Sequence, residues 1–344
     1  MCIRDRRPPP LRLALVGTGI AARELHWPAL HQLSDLYQIV AVCNRTRPKA
    51  DAFAGLIGLD LANVTTEYAQ ILARPDVDVV SLLVPPQANR MMAEAAAAAG
   101  KHVIVEKPIA TTLADARAIV ESPRRYGVQV FVAENMRYHG FLDPTIALVA
   151  GGAIGELFLV TWRYMSGLGP DNPYANTSWR QNPEHPGGFF SDVNVHTANG
   201  LRALAGEISS VHCLARKIRP WLGGLDTAVF NLEFRSGVIG TLTYSLAAAV
   251  ERSMALTLYG TAGTIEASWE DVVLRRPGHE AEVYPLAGPS SYVQEYEDFY
   301  EALVHGRTPK MTALDGLRDL AVVLAALESA ETGQAVGVPE TQAG

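Results

Sequence analysis

Hydrophobic and polar positions fall into two rhythms that divide the chain. From residue 11 to residue 134, short apolar runs alternate with stretches whose apolar residues recur at helical spacing. "LRLALV" leads into a glycine-bearing turn and a helical pattern, and "YQIVAVC" (37–43) is followed by another after Pro48. "VDVVSLLV" (77–84) ends at Pro85-Pro86 and precedes "MMAEAAAAAG" (91–100), where Gly100 is a natural helix stop. "HVIVE" (102–106) precedes the helical "LADARAIVESPRRYG", and "VQVFVAE" (128–134) is one more strand. This alternation predicts an α/β Rossmann doubly wound parallel sheet, with ligand sites outside the carboxyl ends of its strands.

From about residue 153 the rhythm changes. "GELFLVTWRYMSG", "SSVHCLARKIRP", "TAVFNLEFRSGVIGTLTYSLAAA", "MALTLYGTAGTIEASW" and "DVVLRRPG" are strand-like runs broken by glycine-bearing turns, and "FRSGVIG" reads as a hairpin connection. They predict an α+β domain with a large open, mainly antiparallel sheet, and the pattern from Tyr292 through "LRDLAVVLAALESA" is helical. The expected organisation is a disordered tail (1–10), a Rossmann domain (11–134) and an α+β domain (135–344). An open sheet face needs cover, so a homodimer or homotetramer is expected.

A long connection, 167–206, separates the first two runs of the second half. Within it Ser191 can cap a helix whose Val195, Leu201 and Leu204 face the sheet. Asp192 and His196 then share one face near the helix start. Alone, that pair reads more readily as a surface Asp–His pair or a capping carboxylate beside a satisfied histidine.

Composition narrows the class. At 344 residues two domains are the default, and 48% hydrophobic with 19% charged residues is ordinary for a globular protein. A net charge of −7 and a pI near 5.7, with basic residues only in pairs such as Arg124-Arg125, argue against a nucleic-acid partner. No run approaches roughly 18 apolar residues, so no membrane span is expected. Three cysteines, Cys2, Cys43 and Cys213, lack metal-ligand spacing and suit a reducing, cytoplasmic setting. No third ligand accompanies Asp192 and His196 at a recognisable spacing, so no metal is expected. "MCIRDRRPPP" has arginines but no apolar core and does not read as a secretory signal.

The candidate chemistry begins at Gly17-Thr18-Gly19-Ile20-Ala21-Ala22, which fits G-x-G-x-x-(G/A) directly after a strand. Gly17 permits the tight turn, Gly19 lets backbone approach a pyrophosphate, and Ala22 allows close helix–strand packing. Ile20 and Ala21 open the helix whose free N–H groups suit phosphate. The second strand ends in Asn44-Arg45-Thr46-Arg47 where an acid would bind the ribose 2′-hydroxyl of NAD. Asn44, Arg45 and Arg47 can neutralise a 2′-phosphate instead, which favours NADP(H), with NAD(H) possible; the same residues also read as a solvated polar loop. Pro85, closing the third strand run, completes the cofactor edge. At the end of the next strand, Glu106-Lys107-Pro108 places a lysine held out of helical geometry by the proline that follows.

These motifs together resemble the glucose–fructose oxidoreductase/inositol dehydrogenase/MocA family. The resemblance covers nearly all the chain after the tail: "GKHVIVEKP", "AENMRYHGFLDP", "GAIGEL", "SWRQNPEHPGG", "GGFFSDVNVH" and "YGTAGTIEAS". It implies that Lys107 reaches the nicotinamide–substrate junction, that the Lys107–Pro108 bond is cis, and that Glu106 and Pro108 shape the turn. It further implies that Asp192 and His196 face the same hydroxyl-bearing carbon. Asp192 would orient His196 or hydrogen-bond the substrate. Oxidising an alcohol needs a base for its proton while hydride leaves, and histidine suits that role. Lys107 would polarise the oxygen, or serve only to anchor the cofactor. The chain departs from the family pattern at Asn199, Asn89 and Asn44.

Asn135, Arg137, Tyr138, Trp179 and Arg180 are further substrate candidates; an aromatic–arginine pair suits a polyhydroxylated ring, although Trp179 also reads as a packing anchor. His139 and His185 are weaker candidates. The expected function is an NADP(H)-preferring oxidoreductase moving hydride between nicotinamide and a carbinol or ketone carbon of a sugar, polyol or sugar derivative. Two rival readings are an NAD-dependent glycoside hydrolase on the same scaffold and a non-catalytic dinucleotide-binding sensor.

Overall fold

The computed structural model describes residues 8–181, 183, 187–249, 252–286 and 288–341. Most of the expected tail, Cys2 and His185 lie outside the described residues.

The first rhythm builds a six-stranded, wholly parallel sheet from β1 (Leu11–Val16), β2 (Tyr37–Cys43), β3 (Val64–Thr65), β4 (Val79–Leu82), β5 (His102–Glu106) and β6 (Val130–Ala133). Its order, β3-β2-β1-β4-β5-β6, reverses between β1 and β4, which opens a crevice at the carboxyl ends of those strands. The helices of this half are α1 (Trp27–Gln32), α2 (Arg47–Ile57), α3 (Tyr68–Leu72), α4 (Asn89–Ala98) and α5 (Leu113–Tyr126), and a π-helical turn over Ala22–His26 leads into α1. The alanine run works as expected: Ala93, Ala96 and Ala97 of α4 are fully buried, letting that helix lie close on the sheet. Alternate residues of β1 serve opposite faces, Ala14 and Val16 toward α4 and α5, Leu13 and Leu15 toward the other side.

That other side has an unexpected cover. After α6 (Leu142–Ala150), α7 (Ser178–Gln181) and α8 (Phe189–Ala205) come α9 (Ser291–His305) and α10 (Ala313–Thr332). Helix α9, expected with the second sheet, packs on the parallel one. Phe299 stacks on Phe131 of β6 at 4.5 Å, and the Tyr37 hydroxyl of β2 donates to the Tyr296 carbonyl at 2.7 Å. Burying side chains of this size is worth roughly 1.5–3 kcal/mol each, which outweighs proximity in sequence.

The second rhythm gives a nine-stranded sheet: β7 (Leu157–Met165), β8 (Ile208–Arg216), β9 (Thr227–Phe234), β10 (Ile239–Ser245), β11 (Ser253–Gly260), β12 (Gly263–Ala267), β13 (Asp271–Arg275), β14 (Glu282–Pro285) and β15 (Val336–Gly337), in the order β14-β13-β12-β11-β7-β10-β9-β8-β15. It is mixed and mostly antiparallel; β7 and β10 pair in parallel. "FRSGVIG" is the β9–β10 hairpin. Helix α8 lies on one face of this sheet, and Gly200 sits so close to Trp162 that a Cβ there would come within 2.6 Å of the indole. α10 packs against both α8 and α5, so through it α8 is tied to the first half of the chain. No helix among the described residues is long and apolar enough to cross a membrane.

Candidate functional site

The glycine turn follows β1 at the sheet's reversal point. Gly17 has φ +100°, and a Cβ on it would lie 2.1 Å from the Leu83 carbonyl oxygen beyond β4, so only glycine fits. A Cβ on Gly19, by contrast, would meet nothing within 4 Å. Beside that open space the Thr18 hydroxyl is buried without a hydrogen-bond partner among the described residues. An empty cradle with an orphaned donor at the start of a helix fits a dinucleotide pyrophosphate. Ile20 and Ala21 stand at that helix start, and Pro85 follows Leu83 on the other lip.

The end of β2 differs from expectation. Asn44 is spent locally: its Oδ1 accepts from Thr18 N at 3.4 Å and its amide donates to the Thr46 carbonyl at 3.1 Å. Arg47 is held against its own helix and β3, donating to Asp51 at 2.7 Å and to the carbonyls of Val64 and Leu61. Its expected place on a 2′-phosphate is taken by these partners. Arg45 is exposed and, among the described residues, unpaired.

Glu106 ends β5 buried, and His26 bridges it to Tyr296: His26 Nε2 lies 2.9 Å from Glu106 Oε1 and Nδ1 2.9 Å from the Tyr296 hydroxyl. Burial would raise the Glu106 carboxyl, but the His26 bond and charge prevail and hold it below its ordinary value. The next peptide, Lys107–Pro108, is cis. Asn89, fully buried, donates to the carbonyls of Glu106 and Pro108, both at 3.0 Å. The asparagine that departs from the family pattern therefore clamps the turn that presents Lys107.

Helix α8 brings the rest. It begins after Gly188, so Ser191 is its third residue and not the expected cap. Lys107 Nζ donates to both the Asp192 carbonyl and Oδ1 at 2.9 Å, and Arg180 Nε donates to Asp192 Oδ2 at 2.9 Å. Lys107, Arg180 and Asp192 side chains are only 13%, 12% and 8% exposed. Burial alone would raise the Asp192 carboxyl; Lys107 and Arg180 overcome it and hold it far below the usual carboxylate range. Burial would likewise lower the Lys107 ammonium, but Asp192, Glu106 and Glu134 keep it above its ordinary value.

The expectation that Asp192 orients His196 is not met. His196 Nδ1 hydrogen-bonds Glu134 Oε1, and Glu134, 1% exposed at the end of β6, is itself fixed by the Met136 N–H at 3.1 Å. Glu134 is the residue that sequence reasoning passed over, although "AENMRY" placed it on the same carboxyl edge as Lys107.

The other substrate candidates are engaged elsewhere. Asn135 donates to Ser291 at 2.9 Å, Arg137 to Asp143 at 3.2 Å, and the Tyr138 hydroxyl to Asp298 at 2.8 Å. Arg180 stacks 4.0 Å over Trp179, so that aromatic–arginine pair closes on itself. Asn199, one turn beyond His196, donates to Asp319 at 2.8 Å, and Asp319 in turn accepts from Arg202 inside the helix interface. Among the described residues no group of three His, Cys, Asp or Glu could hold a metal ion.

Two family patterns match in tandem along this chain: the NAD-binding Rossmann fold of an oxidoreductase family over residues 11–134, and the C-terminal alpha/beta domain of the same family over residues 146–338. The chain belongs to the Gfo/Idh/MocA oxidoreductase family. The crystal structure of an oxidoreductase from Thermotoga maritima is 37% identical and superposes with a TM-score of 0.89, over 96% of this chain and 98% of that one. An uncharacterised protein of Saccharomyces cerevisiae is 37% identical over 264 residues, 76% of this chain and 75% of its own length. The D-apiose dehydrogenase of Paraburkholderia graminis is 27% identical over 351 residues, 96% of this chain and 90% of its length. Sugar dehydrogenation is thus an activity found among the relatives.

Proposed function

We propose that this member of the family transfers hydride between a nicotinamide dinucleotide and a carbinol or ketone carbon of a sugar or polyol, with His196 as the acid/base. The observation carrying this reading is the buried Lys107–Asp192 pair at the carboxyl edge of the sheet that also bears the Gly17–Gly19 cradle, with His196 one turn along the same helix from Asp192. Nicotinamide, when bound, supplies the hydride acceptor or donor at its C4. A carboxylate only accepts, so Glu134 leaves the proton on His196 Nδ1 and the lone pair on Nε2. In the oxidative direction Nε2 takes the hydroxyl proton as the C–H hydride departs, and in reduction it returns that proton to the forming alkoxide. The Lys107 ammonium donates to the same oxygen and favours its developing negative charge. Asp192, held ionised by two cations, does not move a proton; it fixes Lys107 and Arg180 in place.

For the cofactor, the proposal is NADP(H), with Arg45 rather than Arg47 meeting the 2′-phosphate. Titrating NADPH and NADH against tryptophan fluorescence checks this: NADPH binds at least tenfold tighter, and Arg45→Ala removes the difference. Equal or tighter NADH binding contradicts it.

The outward face of the nine-stranded sheet exposes Leu214, Val229 and Ile239, with Leu214 and Val229 paired directly across β8 and β9. We assign this face to a second copy of the chain, since large apolar side chains exposed together on one sheet face are costly to leave in water. Light scattering of the purified protein gives a dimer or tetramer mass, and Leu214→Lys with Val229→Lys shifts it to the monomer.

A further inference from the structure

Three cations close to α8 are paired. Lys107 and Arg180 share Asp192, and Arg137 holds Asp143. Arg252, just before β11, meets no carboxylate among the described residues. Its guanidinium lies over two aromatic rings, 4.6 Å from the centroid of Trp269 and 5.6 Å from that of Tyr164.

Register places these groups beside the reacting end of α8. Tyr164 of β7 pairs across the sheet with Tyr244, and Tyr244 meets Phe190 of the first α8 turn at 6.5 Å between centroids. Tyr164 pairs on its other side with Met254, two residues past Arg252. Trp269 spans the space between Arg252 and His139, whose ring centroid is 5.1 Å from the indole. The Trp269 Nε1–H is buried without a hydrogen-bond partner, and neither ring nitrogen of His139 has one among the described residues. Burial holds His139 down to about 4, with His196 and Arg252 adding to it, so the ring is neutral and can both donate and accept.

We propose that Arg252, Trp269 and His139 form a subsite for a carboxylate-bearing end of the substrate, which makes a sugar acid, rather than a neutral sugar, the preferred ligand. This rests on the reading of the chain as a hydride-transfer enzyme of sugars and polyols. A guanidinium fork, held here over the Trp269 ring with its N–H edge free of any carboxylate among the described residues, matches a carboxylate with two parallel hydrogen bonds, and a neutral imidazole takes a hydroxyl. An unpaired guanidinium beside an orphaned indole N–H and an unpartnered imidazole is the donor set such a ligand needs.

The test is calorimetric titration of the NADH-saturated protein with D-glucuronate, D-galacturonate and D-gluconate, each against its neutral counterpart D-glucose, D-galactose or D-glucitol. At least one acid binds tenfold or more tighter than its neutral counterpart. Arg252→Gln brings that ratio to within about twofold, Arg252→Lys keeps part of it, and unchanged NADH affinity shows that both variants are folded. No acid favoured by the unmodified chain, or a preference that survives Arg252→Gln, overturns the subsite. A chain that binds neither NADPH nor NADH breaks the hydride-transfer reading instead; the acid-to-neutral comparison is then made on the protein without nucleotide and still decides for or against Arg252.

Discussion

His196→Asn lowers turnover by about 10²- to 10⁴-fold, the range spanned by loss of a positioned acid/base, while dinucleotide affinity stays where it was. Asparagine can still hydrogen-bond Glu134 but offers no basic nitrogen to the hydroxyl. Steady-state rates with the cofactor and any accepted polyol, together with cofactor titration, separate the two quantities. The effect falls on kcat because His196 does its work as the proton moves, whereas dinucleotide binding is assigned above to the Gly17–Gly19 cradle and Arg45. A His196→Asn enzyme with near-normal kcat would remove the histidine from the chemistry.

Asp192→Asn unfolds the protein more readily than any surface change does. Lys107 and Arg180 would be left as two largely buried cations without their shared counter-charge, and breaking a buried ion pair this way costs about 3–5 kcal/mol. The sign with pH follows from the held-down carboxyl. Its stabilisation is complete above the unfolded-state value of about 3.9 and is lost as pH falls below it. Melting curves therefore show a large gap between the unmodified chain and Asp192→Asn at pH 7 that narrows toward pH 3. Activity falls too, since Lys107 loses the group that fixes its Nζ. A gap that is absent at neutral pH would mean that solvent, not Asp192, satisfies the two cations.

Much of this was legible in the chain because it depends on local pattern. The alternation of apolar strands and helical stretches yields the parallel sheet, and "EKP" and "SDVNVH" supply the Lys107 and Asp192 that pair across the two halves. What was illegible depends on partners far apart in sequence. Glu134 and His196 meet through a strand end and a helix start that no spacing links, so the imidazole's true orienting group stayed hidden. Arg47 looks available in sequence, yet the carbonyls of Leu61 and Val64 claim it once β3 pairs with β2. Asn89 reads as a departure, and only the fold makes it the clamp on the Lys107 turn. Helix α9 carries an apolar face that either sheet could have buried; stacking of Phe299 on Phe131 decides for the parallel one.

The proposed reaction passes hydride from a carbinol carbon to nicotinamide, with His196 taking the proton. Incubating the protein with NADP⁺ or NAD⁺ and a panel of sugars, sugar acids and polyols deuterated at their carbinol carbons, then weighing the nicotinamide product by mass spectrometry, tests it most directly. One deuterium is gained per cofactor reduced with at least one compound, at a rate that collapses in His196→Asn. Cofactor that binds yet gains no deuterium from any of them, or gains it equally fast without His196, would contradict it.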